Sequence, residues 1–334
     1  MGIGPFELGQ PRVHLGRFPT PLHRADDLGD LLGTADLWIK RDDLTGFSWG
    51  GNKVRPAEFL VADAMANGAS ELIVSGGPSS NFAAIIAVAG RVHGMRVHQV
   101  CYGSEPDRPF AALAAARQSG AAVTFTGSAD RSTMDAVGKE LAAEHARQGR
   151  VAYTIPRGGA SDVGALGFVH AALELGDQLD AAGIDRATIV MPVGSGGSAS
   201  GLVAGTAVAG RRWVTVGASV SRPPDETEAG ILDKAVRCAA LTGVALSPDR
   251  AANHLRVHDA RGAGFGIADP EEARLADAVS QSTGLLVDAT YNAKAMRWLA
   301  TVDHLEPPVI YWHTGGALGA IDRLVLTSPE QTSS

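Results

Sequence analysis

"ATIVMPVGSGGSASGLVAG", residues 187 to 205, reads as a buried strand, a glycine-rich turn and a helix of small residues. Backbone amides at such a turn, with the helix N-terminus behind them, form an anion site. Glycine is needed there because a side chain would hold the amides away from the bound oxygens. The candidate cradle is Gly194, Ser195, Gly196, Gly197 and Ser198, with Ser200 as a further hydroxyl donor. Gly194, Gly196 and Ala199 also meet a loose G-x-G-x-x-A dinucleotide pattern. That pattern needs an acid near the end of the next strand to hold a ribose. The next strand, "RWVTVGASVSRPPDE", ends in Ser219 and Ser221, and its first acid, Asp225, comes too late. No Walker lysine follows the turn either. The phosphate of a monophosphorylated cofactor explains the turn better than NAD does.

Upstream of this unit the chain alternates in the same way. "ELIVSGG", "RVHQVCYG", "AAVTFTG" and "VAYTIPRGG" read as strands, separated by helices such as "SSNFAAIIAVAGRVHG" and "DRSTMDAVGKELAAEHARQG". Downstream come helix "SDVGALGFVHAALELGDQLDAAG", the unit above, helices "DPEEARLADAVSQSTG" and "YNAKAMRWLATVD", and strand "PPVIYWHTGG". Strands alternating with helices predict βαβ units around parallel sheets. Two α/β lobes with a cleft between them are expected, crossing over near 157 to 162. The expected division is 1–52 with 160–334 as the larger, cofactor-binding domain and 53–159 as the smaller.

Composition narrows the function. A chain of 334 residues, 45% hydrophobic and 19% charged, has ample core. Its net charge of −7 lacks the basic face a nucleic-acid partner needs. Cys101 and Cys238 are far apart without metal-ligand spacing, so no metal is expected. No signal peptide or membrane-length apolar run is read, so a soluble, cytoplasmic protein is expected.

"GFSWGGNKVRP", residues 46 to 56, raises a second question, since it sets a lysine in a stretch too glycine-rich for regular structure. The chain has five lysines: Lys40, Lys53, Lys139, Lys234 and Lys294. Lys139 and Lys234 fall on amphipathic helices and read as solvated. Lys40, beside Arg41, Asp42 and Asp43, reads as a salt-bridging residue. Lys53 remains as the plausible amine, and a phosphate cradle with an isolated lysine suggests pyridoxal 5'-phosphate. A free lysine ionises with a pKa of about 10.4, so an apolar or cationic setting is needed to make it nucleophilic.

The run from Ile39 to Asn81, "IKRDDLTGFSWGGNKVRPAEFLVADAMANGASELIVSGGPSSN", resembles the opening of the D-cysteine desulfhydrase and 1-aminocyclopropane-1-carboxylate (ACC) deaminase family. "IPRGGASDVGALGFV", "VGSGGSASGLVAG", "DATYNAKAM" and "HTGGALGA" continue the likeness in order. The resemblance implies a two-lobed α/β fold of the tryptophan synthase β type (fold type II), parallel sheets and pyridoxal phosphate in the interdomain cleft. It implies that Lys53 forms the internal Schiff base and Asn81 bonds the ring hydroxyl, while Gly194 to Ser198 hold the phosphate. Ser80 would contact the substrate carboxylate or its reacting end, and Tyr291 would be an acid–base or orienting group. Asn292 would lie near the pyridine nitrogen, with Thr314 and Gly315 lining the cofactor's other side. The implied reaction is elimination from a small amino acid, of D or L configuration, to a 2-oxo acid and ammonia. A homodimer is implied as well.

Four positions depart from the family pattern. Asn292 replaces glutamate or threonine, and a neutral amide would not enforce a protonated pyridine. That favours elimination or replacement at Cβ and disfavours ACC ring opening. Ser79 and Phe82 flank the substrate loop in place of more polar residues, and Phe265 stands where a tyrosine is usual. A substrate larger or more apolar than cysteine is therefore expected. Ser80 and Asn81 could instead cap a helix, Tyr291 could be core, and His313 reads as a packed strand-end residue. Alternative activities are β- or γ-replacement, racemisation or ACC deamination; a nucleotide-binding regulatory protein is the competing class.

Overall fold

The structure is a computed structural model that describes residues 10–267 and 269–327. The strands are β1 (Leu22–Arg24), β2 (Leu37–Arg41), β3 (Glu71–Ser75), β4 (Arg96–Cys101), β5 (Ala122–Phe125), β6 (Ala152–Ile155), β7 (Arg186–Val193), β8 (Arg212–Ser219), β9 (Leu255–Asp259) and β10 (Val309–His313). They form two sheets. A four-stranded sheet runs β5-β4-β3-β6 with every pairing parallel. A six-stranded sheet runs β1-β2-β10-β7-β8-β9 and is parallel except for the β1–β2 edge. Strands such as β3 and β10 are buried along their whole length, as near-continuous apolar runs covered on both faces should be.

The alternating strands and helices stand where the sequence predicts them. Three strands and the helices Asp26–Leu32, Val54–Ala66, Pro248–Ala252 and Ala317–Thr327 are not among the elements read from the sequence, and Val54–Ala66 takes up the last three residues of the stretch 46–56 expected to lack regular structure. β1 has only three residues, and β9, "LRVHD", is mostly polar and part-exposed. The helix Ala317–Thr327 follows the late glycines directly. β2 was masked by Lys40, a charged residue that the fold buries.

The larger core gathers around Phe168, Trp213 and Trp312, between the six-stranded sheet and the helices Asp162–Ala181 and Gly197–Val208. These two helices lie almost backbone to backbone. A Cβ on Gly201 would stand 2.0 Å from the Ala165 carbonyl oxygen, so only glycine fits there. The alanine and glycine abundance is used in this close approach. A second core, with Leu60, Leu72 and Ile86, fills the four-stranded lobe. The helix Val54–Ala66 serves both, giving Phe59 to the first and Leu60 to the second.

A buried ion network ties this helix to β2 and to the helix Asp162–Ala181. Arg55, 3% exposed, donates to both oxygens of Asp42 at 2.8 Å and to Glu174 at 2.9 and 3.0 Å. Lys40, fully buried, pairs with Glu174 and donates to Gln178 Oε1 and the Thr20 carbonyl, each at 2.7 Å. Lys40 is thus a salt-bridging residue, but its partner is 134 positions away rather than an adjacent aspartate. Burial opposes ionisation of Glu174, yet Arg55 and Lys40 outweigh it and hold the carboxyl at about 2. Burial, with the Arg12 and Arg55 charges, pulls His170 down to about 4.

Both groups bind protons more readily in the unfolded chain, so each contributes stability that is lost as pH falls. For His170 the loss runs from its ordinary 6.5 down to about 4. For Glu174 it runs from 4.5 down to about 2. The melting temperature is expected to decline in these two stages, and His170→Phe should flatten the upper one. A melting temperature unchanged between pH 7 and about pH 3 would contradict the network's role.

Candidate active site

Parallel sheets expose loops at the carboxyl ends of their strands, where ligands of open α/β folds bind. Here the loops after β3, β7 and β10 converge with residues 50–53 and 288–292 around a cavity of about 400 Å³. Of the residues marked in the sequence for the site, all but Ser200 border it: Lys53, Ser79, Ser80, Asn81, Phe82, the turn Gly194 to Ser198, Phe265, Tyr291, Asn292, Thr314 and Gly315.

Lys53 caps the start of the helix Val54–Ala66, and its Nζ donates to the Gly158 carbonyl at 3.2 Å. No carboxylate answers it among the described residues, and burial lowers its pKa to about 8. Lys294 is also buried, but its ammonium is held by Glu272 at 3.1 Å and by the Arg261 carbonyl at 2.8 Å. With Lys40 bound to Glu174, Lys53 is the buried-site amine whose charge is uncompensated.

Asn52, which sequence reasoning passed over, fixes this loop to the rest of the site. Its Nδ2 donates to Ser198 Oγ at 3.0 Å, and its backbone N–H donates to the Thr314 carbonyl at 3.0 Å. Its position inside Gly-Gly-Asn-Lys was the available signal. The phosphate-type turn has Gly196 at φ +84 as the residue before the helix Gly197–Val208, a left-handed conformation that favours glycine. Ser195 and Ser198 lie on the cavity wall. Ser200 does not face a ligand. It is fully buried, and its hydroxyl donates back to the Gly196 carbonyl at 2.8 Å, the usual resort of a serine inside a helix.

Ser80 caps the helix Asn81–Val92, its Oγ accepting from the Ala83 N–H at 3.2 Å. Asn81 keeps a buried Oδ1 with no partner among the described residues, which costs free energy unless a ligand supplies a donor. Phe82 reaches the cavity wall, but its ring belongs to the core of the four-stranded lobe.

Tyr291 packs edge-on against Phe265, with ring centroids 5.8 Å apart. Burial, reinforced by the Asp288 charge, raises its phenol well above the ordinary value, so it stays protonated at neutral pH. Asp288, also unmarked in the sequence, accepts from the backbone N–H groups of Thr290, Tyr291 and Asn292 at 3.0, 2.8 and 3.1 Å. It thereby fixes the start of the helix Asn292–Leu299.

Asn292 has a different occupation from the one expected. Its Nδ2 donates to Asp288 Oδ1 and to the Gly315 carbonyl, both at 2.8 Å, which uses both amide hydrogens. Its Oδ1 accepts from the Tyr311 hydroxyl at 3.1 Å. The amide is spent inside the protein and has no donor left for a ring nitrogen. His313 is a packed strand-end residue, accepting from the Gly315 N–H at 3.1 Å.

Comparison with known proteins agrees with this geometry. The pyridoxal-phosphate dependent enzyme family model matches residues 13–315. A putative 1-aminocyclopropane-1-carboxylate deaminase of Pyrococcus abyssi is 32% identical over 312 residues, 92% of this chain and 92% of that protein. A D-cysteine desulfhydrase of Klebsiella pneumoniae is 32% identical over 330 residues, 92% of this chain and 94% of that protein. The crystal structure of an ACC deaminase homologue superposes with a TM-score of 0.88 at 30% identity, covering 98% of this chain and 99% of that one. The chain belongs to the pyridoxal-phosphate dependent enzyme family, with the two-lobed α/β fold that the sequence resemblance implied.

Proposed function

We propose that the protein eliminates a group from Cβ of a small amino acid, giving a 2-oxo acid and ammonia, in the manner of a D-cysteine desulfhydrase. The observation that carries this reading is Lys53, an amine lowered to about 8 in the same cavity as a partnerless Asn81 oxygen and a glycine turn. The residues fit pyridoxal phosphate. Lys53 would hold its aldehyde carbon, Asn81 its ring hydroxyl and Gly194 to Ser198 its phosphate, with Thr314 and Gly315 beside the ring. When bound, the cofactor supplies an electron sink for the charge left at Cα.

The chain's own groups do the remainder. The helix start at Ser80 and Asn81 would receive the substrate carboxylate. Lys53 would take the proton from Cα, since an amine of pKa about 8 is partly neutral at pH 7 and still basic enough to act. Tyr291, kept protonated, would orient the substrate or donate a proton. Asp288 and Asn292 support this by fixing the backbone under the tyrosine. The names of the relatives support lyase or deaminase chemistry, and ACC ring opening is not favoured over elimination.

The division into 1–52 with 160–334 and 53–159 belongs to the same proposal, supported by the two separate sheets. So do a homodimer and a cytoplasmic location. Among the described residues no helix is long and apolar enough to cross a membrane.

D-cysteine, β-chloro-D-alanine and ACC, offered side by side to the loaded enzyme, should give 2-oxo acid and ammonia from at least one β-substituted substrate. Release from none of them, nor from cysteate or O-phosphoserine, would sink the elimination reading. Cofactor loading gives an independent check on the lysine. Association of pyridoxal phosphate with the apoprotein should accelerate about tenfold per pH unit up to a break near 8, where Lys53 is half neutral. A break near 10.5 would mean that burial has not made the amine reactive.

A further inference from the structure

The charge around the cavity mouth is unbalanced. Besides Lys53, the lining contains Arg131, Arg157 and Arg222, whereas its acid is Asp288 alone. Asp288 is already saturated by three backbone N–H groups and the Asn292 amide. Arg222 is partly answered, with Nε 3.5 Å from Glu226. For Arg131 and Arg157 the described residues show no hydrogen bond or ion pair to either guanidinium.

Arg131 is nonetheless held in place. Its guanidinium carbon lies 4.4 Å from the Phe265 ring centroid and 5.3 Å from that of Tyr102. Phe265 packs on Tyr291, so this cation sits at the substrate side of the cavity, bridging the two lobes. Arg157 precedes Gly158, the residue whose carbonyl receives Lys53 Nζ. Both arginines line the same cavity. Asp130 does not neutralise them, being turned to the Ser132 N–H and hydroxyl at 2.9 and 2.7 Å.

A phosphate on the glycine turn and a carboxylate on the Ser80 helix start leave this pair of arginines unused. Guanidinium forks suit planar and tetrahedral oxyanions. We infer that the substrate is a small amino acid bearing a second oxyanion, a sulfonate or phosphate, on Cβ, held by Arg131 and Arg157. This deepens the elimination reading and rests on it. It also revises the expectation of an apolar substrate. The polar groups missing at Ser79, Phe82 and Phe265 are replaced from another direction, and Phe265 is the apolar platform under Arg131. With a sulfonate or phosphate on Cβ, the Cα–H and Cβ–X bonds break and X leaves with the bonding pair as sulfite or phosphate. One water is consumed, giving the 2-oxo acid and ammonia.

The test uses the loaded enzyme and the cofactor's visible absorption as a binding signal, alongside kcat/KM. Both enantiomers of cysteate, O-phosphoserine and aspartate are compared with cysteine and β-chloroalanine. Anionic side chains should bind at least about tenfold tighter than neutral ones, more so at low salt; aspartate, which has no leaving group, reports anion binding alone, and the tighter of cysteate and O-phosphoserine identifies the oxyanion. Arg131→Gln and Arg157→Gln should each lower that preference about 10- to 100-fold, with partial recovery in the lysine variants. Neutral amino acids binding as well as anionic ones would overturn the inference and leave the lyase reading standing. Equal weakening of both classes by Arg131→Gln would also overturn it, by assigning the arginine to the α-carboxylate. Silence from the whole panel would overturn both readings.

Discussion

Lys53→Ala is expected to abolish the visible absorption of the loaded protein and to lower turnover by about a thousandfold or more. The lysine is at once the attachment point and the base in the proposed chemistry, so two roles are lost together. The fold should survive. In the structure its ammonium makes a single 3.2 Å bond to the Gly158 carbonyl, and it holds no carboxylate. Far-ultraviolet circular dichroism should therefore match the parent protein. Borohydride reduction of the parent, followed by peptide mapping, should leave a pyridoxyl mass on the peptide containing Lys53. A tag on Lys294 instead, or a band that persists in Lys53→Ala, would refute the assignment.

Arg55→Leu should have the largest effect on stability, about 3–5 kcal/mol, because it leaves Asp42 as a buried carboxylate without a counter-ion and Glu174 with Lys40 alone. Asp42 is fully buried, and Thr20 Oγ1, at 2.9 Å, is its other side-chain donor. Burial disfavours a charged Arg55, but the two carboxylates overcome this and keep the guanidinium ionised. Its plane also lies 4.4 Å from the Phe18 ring centroid, a contact that leucine would keep only in part. Arg55 stands two residues beyond Lys53, so loosening it should disturb cofactor loading as well as denaturant midpoint. Replacing Arg55, Asp42, Glu174 and Lys40 together with apolar residues should recover much of the loss, since no lone charge then remains. A single variant within 1 kcal/mol of the parent would show that the network is solvated.

The sheets were readable because burial on both faces makes parallel strands near-continuous apolar runs, and helices announce themselves between them. β2 was not, since Lys40 breaks its run and the ions that justify its burial come from residue 174. The cofactor end of the site was readable for a related reason. A glycine turn before a helix and a lysine in a glycine loop carry their chemistry in a few adjacent residues. Asn52 was missed because it acts through bonds to distant elements, Ser198 and Thr314, whereas Asp288 bonds Thr290, Tyr291 and Asn292 beside it, a local helix-start signal in "DATYN" that went unread. Asn292 was misread because position suggested a ring partner while its hydrogens were committed elsewhere. Arg131 and Arg157 were invisible as a pair. Nothing in "DRST" or "IPRGG" says that the two residues line one cavity.

Lys53, Asn81 and the Gly194 to Ser198 turn all sit at or beside helix starts, anchored by capping bonds and close backbone packing. Ser79, Arg131 and Phe265 lie instead in turns. Substitutions at such surface turns usually shift stability by no more than about 0.5 kcal/mol. Lineages descending from one ancestor can therefore exchange the parts that choose a metabolite while inheriting the catalytic chassis unaltered, which is the kind of diversification this architecture permits.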